Sequence, residues 1–86
     1  MQGMLFLGDK RVGLRDFPDP KPASGQVVVK MKATGLCGSD LRPYRSTFDG
    51  LGPRANVIGG HEPCGEVAEL GSDVRTLKIG DRVMVH

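Results

Sequence analysis

The 86-residue sequence predicts a small, strongly bent, mostly β fold, a barrel or sandwich with at most one or two short helical turns. Three observations carry this. Thirteen glycines and six prolines favour tight turns over long helices. Apolar residues alternate with a period of two in several short runs. Glycine, proline, serine and aspartate clusters punctuate those runs at short intervals.

The elements follow in chain order. Residues 4–7 read as a first strand, with Gly8-Asp9-Lys10 as its turn. Residues 11–17 alternate Val12 and Leu14 with Arg11 and Arg15, which predicts a half-buried strand. Pro18, Pro20 and Pro22 then break regular pairing. Residues 27–34 form the clearest strand: Val27, Val29, Met31 and Ala33 fall on one face, and Val28, Lys30, Lys32 and Thr34 on the other. Residues 40–45 predict one helical turn, capped by Ser39 and limited by Pro43. Residues 46–59 read as an irregular loop. Residues 66–70 form a further strand ended by Gly71-Ser72-Asp73, and Gly80-Asp81 turns the chain into a strand at 82–85. That strand runs into His86 without a closing partner, so a truncated domain is expected.

Bulk properties exclude several classes of function. Twelve basic and ten acidic residues leave a net charge of +2, too small and too scattered for a nucleic-acid partner. Cys37 and Cys64 form no Cys-x-x-Cys pair, so a closed four-cysteine zinc lobe cannot be built from them. Without a secretory signal, two free thiols are expected rather than a disulfide. The run Met4-Leu5-Phe6-Leu7 is too short to cross a membrane, and a cytoplasmic location is the expectation.

Two clusters carry chemistry. In Gly35-Leu36-Cys37-Gly38-Ser39-Asp40 a cysteine follows a strand and sits between glycines. In Gly59-Gly60-His61-Glu62 a histidine and a glutamate stand side by side just before a strand. Thiolate, imidazole and carboxylate together suit an open catalytic zinc site, with three protein ligands and a free position, better than a closed structural one. Taken singly, Cys37 and His61 are ordinary residues. Cys64 reads as a small apolar residue at the start of a strand, and Asp9, Asp16, Asp19 and Glu69 as solvated charges.

Spacing adds to this. Gly60-His61-Glu62, followed by Gly65, Gly71 and Val74, resembles the zinc signature of the zinc-dependent medium-chain alcohol dehydrogenases. Lys78-Ile79-Gly80-Asp81-Arg82-Val83 resembles that family's Lys-x-Gly-Asp-Arg-Val turn, and Gly35-Leu36-Cys37-Gly38-Ser39-Asp40 its Gly-x-Cys-Gly-Ser-Asp segment. The resemblance implies a GroES-like, partly open β-barrel, with residues 1–86 as the front part of the catalytic domain and the nicotinamide-binding Rossmann domain absent from the chain. It implies Cys37 and His61 as ligands of a catalytic zinc, with Glu62 as a carboxylate at or just behind the metal. It also implies Ser39 as the catalytic hydroxyl that handles the substrate's proton, and Asp40 as the carboxylate behind His61.

The implied activity is oxidation of a small alcohol or polyol by hydride transfer to NAD or NADP, in a full-length enzyme that is a homo-oligomer. The 86-residue chain alone is expected to be inactive. Where many members carry a histidine at the outer end of the proton relay, this sequence has Arg42. Gly50-Leu51-Gly52-Pro53-Arg54-Ala55 formally fits a dinucleotide fingerprint but lacks the strand before and the helix after that such a site needs; it reads as a substrate-side loop, with Tyr44 and Phe48 as candidate pocket residues. The alternative is a GroES-like module that serves binding or assembly without catalysis. A zinc-free reductase of the same superfamily is disfavoured by the presence of both Cys37 and His61.

Overall fold

The computed structural model describes residues 1–47 and 57–85. Its elements are β1 (Gln2–Gly8), β2 (Arg11–Asp16), β3 (Val27–Gly35), a 3₁₀ turn (Gly38–Asp40), α1 (Leu41–Arg45), β4 (Glu62–Leu70) and β5 (Arg82–Met84). The strands form two antiparallel sheets, β1-β2 and β3-β4-β5, and neither closes on itself. The mostly β fold with one or two short helical turns is therefore present, as open sheets. The chain divides into two compact units, one of Met1–Pro18 with Leu36–His61 and one of Asp19–Gly35 with Glu62–His86.

The first unit is built on the β1-β2 hairpin. Its two-residue turn places Asp9 and Lys10 at φ 53° and 60°, the primed geometry whose twist suits a hairpin but which non-glycine residues adopt at a cost. Two hydrogen bonds hold it: Asp9 N–H donates to the Ser46 carbonyl (2.6 Å) and Lys10 N–H to the Tyr44 carbonyl (2.8 Å). The end of α1 is thereby fastened to the hairpin. Leu5 and Phe6 of β1 are buried. The half-buried reading of β2 needs correction, because Val12 and Leu14 are 52% and 62% exposed. Among the described residues β2 pairs with β1 alone, and a Cβ at Gly13 would meet the Leu7 side chain at 3.0 Å.

The expected helical turn is present but differently capped. Ser39 lies inside the 3₁₀ turn, Cys37 precedes that turn, and Asp40 is the residue before α1. Pro43 sits within the first turn of α1, where its missing N–H leaves no intrahelical bond unmade. Ser46 ends the helix by giving both its N–H (2.9 Å) and its hydroxyl (2.6 Å) to the Arg42 carbonyl.

In the second unit, β4 is the central strand, and Val67 on it is almost fully buried. β4 begins at Glu62, four residues before the expected start at Glu66. Pro63 is compatible with this because the group it offers β5 is its carbonyl, which accepts the Val85 N–H (2.9 Å). Cys64, expected as a small apolar residue at the start of the strand, is its third residue and is exposed. The register between β3 and β4 shifts twice, between Val28 and Val29 and between Met31 and Ala33. The second shift leaves Lys32 without a partner and interrupts the strict two-face alternation expected for β3. At Gly80, φ of +93° turns the chain into β5, and Asp81 closes the turn by accepting the Lys78 N–H (2.9 Å). Among the described residues no helix is long and apolar enough to cross a membrane. His86, Phe48 and the segment 50–55 lie outside the described residues.

Candidate functional site

Both chemistry-bearing segments of the first unit are held by β1. The His61 segment is fixed by an isolated bridge between Leu5 and Ile58 and by the Gly59 N–H donating to the Met4 carbonyl (2.9 Å). Gly59 has to be glycine here: a Cβ would strike the Phe6 ring, lying 2.7 Å from its Cδ2. Gly60, at φ +101°, then makes a turn that an L side chain resists, and this delivers His61. On the other segment, Gly35 and Gly38 are not in the left-handed region. Gly38 faces open space, while a Cβ at Gly35 would collide with the Glu62 carboxylate.

Cys37, Asp40 and His61 come together, with one candidate donor atom of each lying within 4.8 Å of the others. Asp40 is at the centre of the group. It is 2% exposed, the one buried charged residue among those described. Its Oδ2 accepts the Cys37 N–H (2.9 Å), and its Oδ1 lies 2.5 Å from His61 Nδ1. The Asp40 N–H in turn donates to the Cys37 carbonyl (3.1 Å). The hydrogen bond from the Cys37 N–H holds the Asp40 carboxyl below its ordinary pKa, with help from His61, while burial opposes the shift. The carboxylate is therefore ionised near neutral pH and can only accept, so the proton between the two side chains belongs to His61 Nδ1. That tautomer leaves Nε2 as the free donor atom of the ring.

Ser39 is exposed, and its Oγ lies 2.8 Å from Cys37 Sγ. Glu62 opens β4 in the second unit, opposite Gly35. Tyr44 is a packing residue: its ring meets Phe6 edge-on, with centroids 6.4 Å apart and planes at 69°. A cleft of about 290 Å³ opens beside the cluster. Ser39, Asp40 and His61 line its polar end; Phe6, Pro43, Val57 and Ile58 form its apolar wall. None of these four apolar residues was singled out as a site residue from the sequence. The available signal was the adjacent pair Val57-Ile58, two β-branched residues directly before Gly59-Gly60-His61.

A thiol, an imidazole and a carboxylate are thus gathered by two glycine-flanked segments on a frame of short strands. The alcohol dehydrogenase GroES-like domain family matches residues 23–86, and the chain belongs to that family. An uncharacterized zinc-type alcohol dehydrogenase-like protein of Escherichia coli is 36% identical, over the whole of this chain and 26% of that protein. The NADP-dependent isopropanol dehydrogenase of Clostridium beijerinckii is 41% identical over 99% of this chain and 24% of its own length. The sorbitol dehydrogenase of Ovis aries is 37% identical over 92% of this chain and 22% of its own. The chain thus spans about a quarter of the length of the curated relatives it matches.

Proposed function

We propose that this chain carries the zinc-binding part of an alcohol dehydrogenase, in which Cys37 and His61 ligate the metal, Glu62 is a further carboxylate at the metal or just behind it, and Asp40 orients His61. The observation that carries this is the contact between Asp40 Oδ1 and His61 Nδ1. A metal-ligating histidine characteristically gives its other ring N–H to a carboxylate, which fixes both tautomer and ring angle. The donor chemistry also fits: a thiolate and an imidazole nitrogen are the ligands zinc takes in open catalytic sites.

Zinc held by these residues would supply Lewis-acid polarisation of an alcohol oxygen. The protein's own groups do the rest. Asp40 holds the Cys37 backbone and the His61 ring in one arrangement before any ligand arrives. The exposed Ser39 hydroxyl stands at the polar end of the cleft, where it accepts the hydrogen bond of the substrate hydroxyl and passes its proton on toward solvent. The hydride acceptor is NAD or NADP. The NADP-dependent isopropanol dehydrogenase and the sorbitol dehydrogenase among the relatives support a small alcohol or polyol as the substrate class.

Cobalt(II) substitution tests the ligand assignment. The chain with cobalt is expected to show a thiolate-to-metal charge-transfer band that Cys37→Ser abolishes and His61→Ala weakens, while Cys64→Ser leaves it intact. Absence of the band in the wild type, or its survival in Cys37→Ser, would overturn the assignment.

A further inference from the structure

We infer that the cleft beside Ser39 and His61 selects an alcohol with a single hydroxyl on a compact apolar body and discriminates against polyols. This rests on the reading of Cys37 and His61 as the metal centre and adds the shape and polarity of what that centre acts on.

The argument is a count of polar atoms. At the polar end, both Asp40 oxygens are committed, one to the Cys37 N–H and one to His61. His61 Nδ1 is engaged by Asp40, and the Gly59 N–H by the Met4 carbonyl. Among the described lining side chains, the Ser39 hydroxyl, which also lies 2.8 Å from Cys37 Sγ and keeps an accepting lone pair, and the metal position remain, and these suffice for one substrate hydroxyl. The side chains of Phe6, Pro43, Val57 and Ile58 offer carbon alone.

The apolar wall is both uncovered and held in place. Val57 and Ile58 are 57% and 40% exposed, so they present apolar surface that a ligand can bury. Ile58 is anchored by its bridge to Leu5, and its side chain fills the space over Gly3, where a Cβ would lie 2.6 Å from Ile58 Cγ1. Phe6 is wedged between Gly59 and Tyr44. A second substrate hydroxyl laid on this wall gives up its water without gaining a partner, and such an apolar site discriminates against an added hydroxyl by up to about 100-fold.

The test is methyl-resolved NMR of the 86-residue chain, titrated with 2-butanol and with erythritol, which has the same number of carbons. With zinc present, 2-butanol is expected to shift the Val57 and Ile58 methyl signals saturably, with an apparent Kd about tenfold or more below that of erythritol. Ile58→Asn and Val57→Ser should each narrow that preference. Val57 is 57% exposed, so Val57→Ser carries the test where Ile58→Asn disturbs the packing over Gly3, and circular dichroism checks the fold of both. The wall does not depend on the metal, so in zinc-free chain and in Cys37→Ser the preference should persist at lower affinity. Erythritol binding as tightly as 2-butanol, or 2-butanol leaving the Val57 and Ile58 signals unmoved, overturns the inference. A 2-butanol affinity that is identical with and without zinc leaves the wall standing and counts against the metal assignment instead.

Discussion

Asp40→Asn changes one atom and sets two hydrogen bonds against each other. The native carboxylate accepts on both sides, from the Cys37 N–H at 2.9 Å and from His61 Nδ1 at 2.5 Å. An amide has one accepting oxygen and one donating nitrogen. If the oxygen keeps the Cys37 N–H, the NH₂ faces His61 Nδ1, and the ring must move its proton to Nε2, the atom that otherwise faces the metal. If the oxygen keeps His61, the NH₂ confronts the Cys37 N–H, and two donors meet in a site where the side chain is 3% exposed. Either way one of the two proposed ligands loses its preset geometry. Loss of such an orienting partner typically costs about 10–100-fold in metal affinity. Competition titration of zinc or cobalt against a chromophoric chelator reads the change, with circular dichroism as the control for folding. The reasoning fails if folded Asp40→Asn protein binds zinc as tightly as wild type, or if NMR finds the His61 proton on Nδ1 and the Cys37 N–H still hydrogen-bonded in the same variant.

Three further outcomes are expected. Gly59→Ala drives a methyl into the Phe6 ring and should lower stability by about 1–3 kcal/mol in denaturant unfolding, as overpacking does; an unchanged midpoint would mean the ring yields freely. Phe6→Ala and Val67→Ala both empty buried positions, one in each unit, and both should destabilise by roughly 2–5 kcal/mol. Phe6→Ala alone should weaken cobalt binding, and equal loss in both variants would argue against a local role for Phe6. The Asp40 carboxyl has a folded pKa below its ordinary 3.8, so its contribution to stability is fully present above that value and is lost as pH falls through the depressed folded one. The stability gap between wild type and Asp40→Asn should therefore close on acidification below about pH 3.8, and a gap that stays constant down to that acid range would show that Asp40 acts through shape alone.

Much of this architecture was legible in the sequence because the informative signals were local. The Cys37-to-Asp40 turn and the Gly59-Gly60-His61 approach each sit within a few residues, flanked by glycines. β2 and β3 each contain their period-two runs, and β1 its short apolar run. What escaped had non-local causes. The start of β4 at Glu62 rests on pairing with β3 and on the Pro63 carbonyl accepting from Val85, just past β5, and neither partner is near it in sequence. The two β3-β4 register shifts leave Lys32 and Ala68 without a counterpart across the ladder, which alternation along one strand cannot reveal. Val12 and Leu14 alternate correctly yet stay exposed, because alternation reports which residues share a face and not whether anything covers it. The apolar wall escaped for a related reason: Phe6, Pro43 and Ile58 come from three separate segments, and no single window contains them.

The site owes its geometry to a strand with no ligand of its own. β1 meets the Cys37-bearing segment through its turn, where the Asp9 and Lys10 N–H groups take the carbonyls at the end of α1. It meets the His61-bearing segment through Met4, Leu5 and Phe6. Phe6 touches both, meeting Tyr44 of α1 in an edge-on ring contact and lying directly against Gly59. Two segments far apart in sequence are thereby brought to one place by backbone hydrogen bonds and one aromatic wedge, and Asp40 then fixes their relative orientation to within a hydrogen bond. This division explains why the chemistry-bearing residues lie in glycine-rich turns. The turns supply the close approach and the left-handed backbone at Gly60, while the precision comes from β1 beneath them. A substitution in β1 that leaves every donor atom in place can therefore still disable the centre.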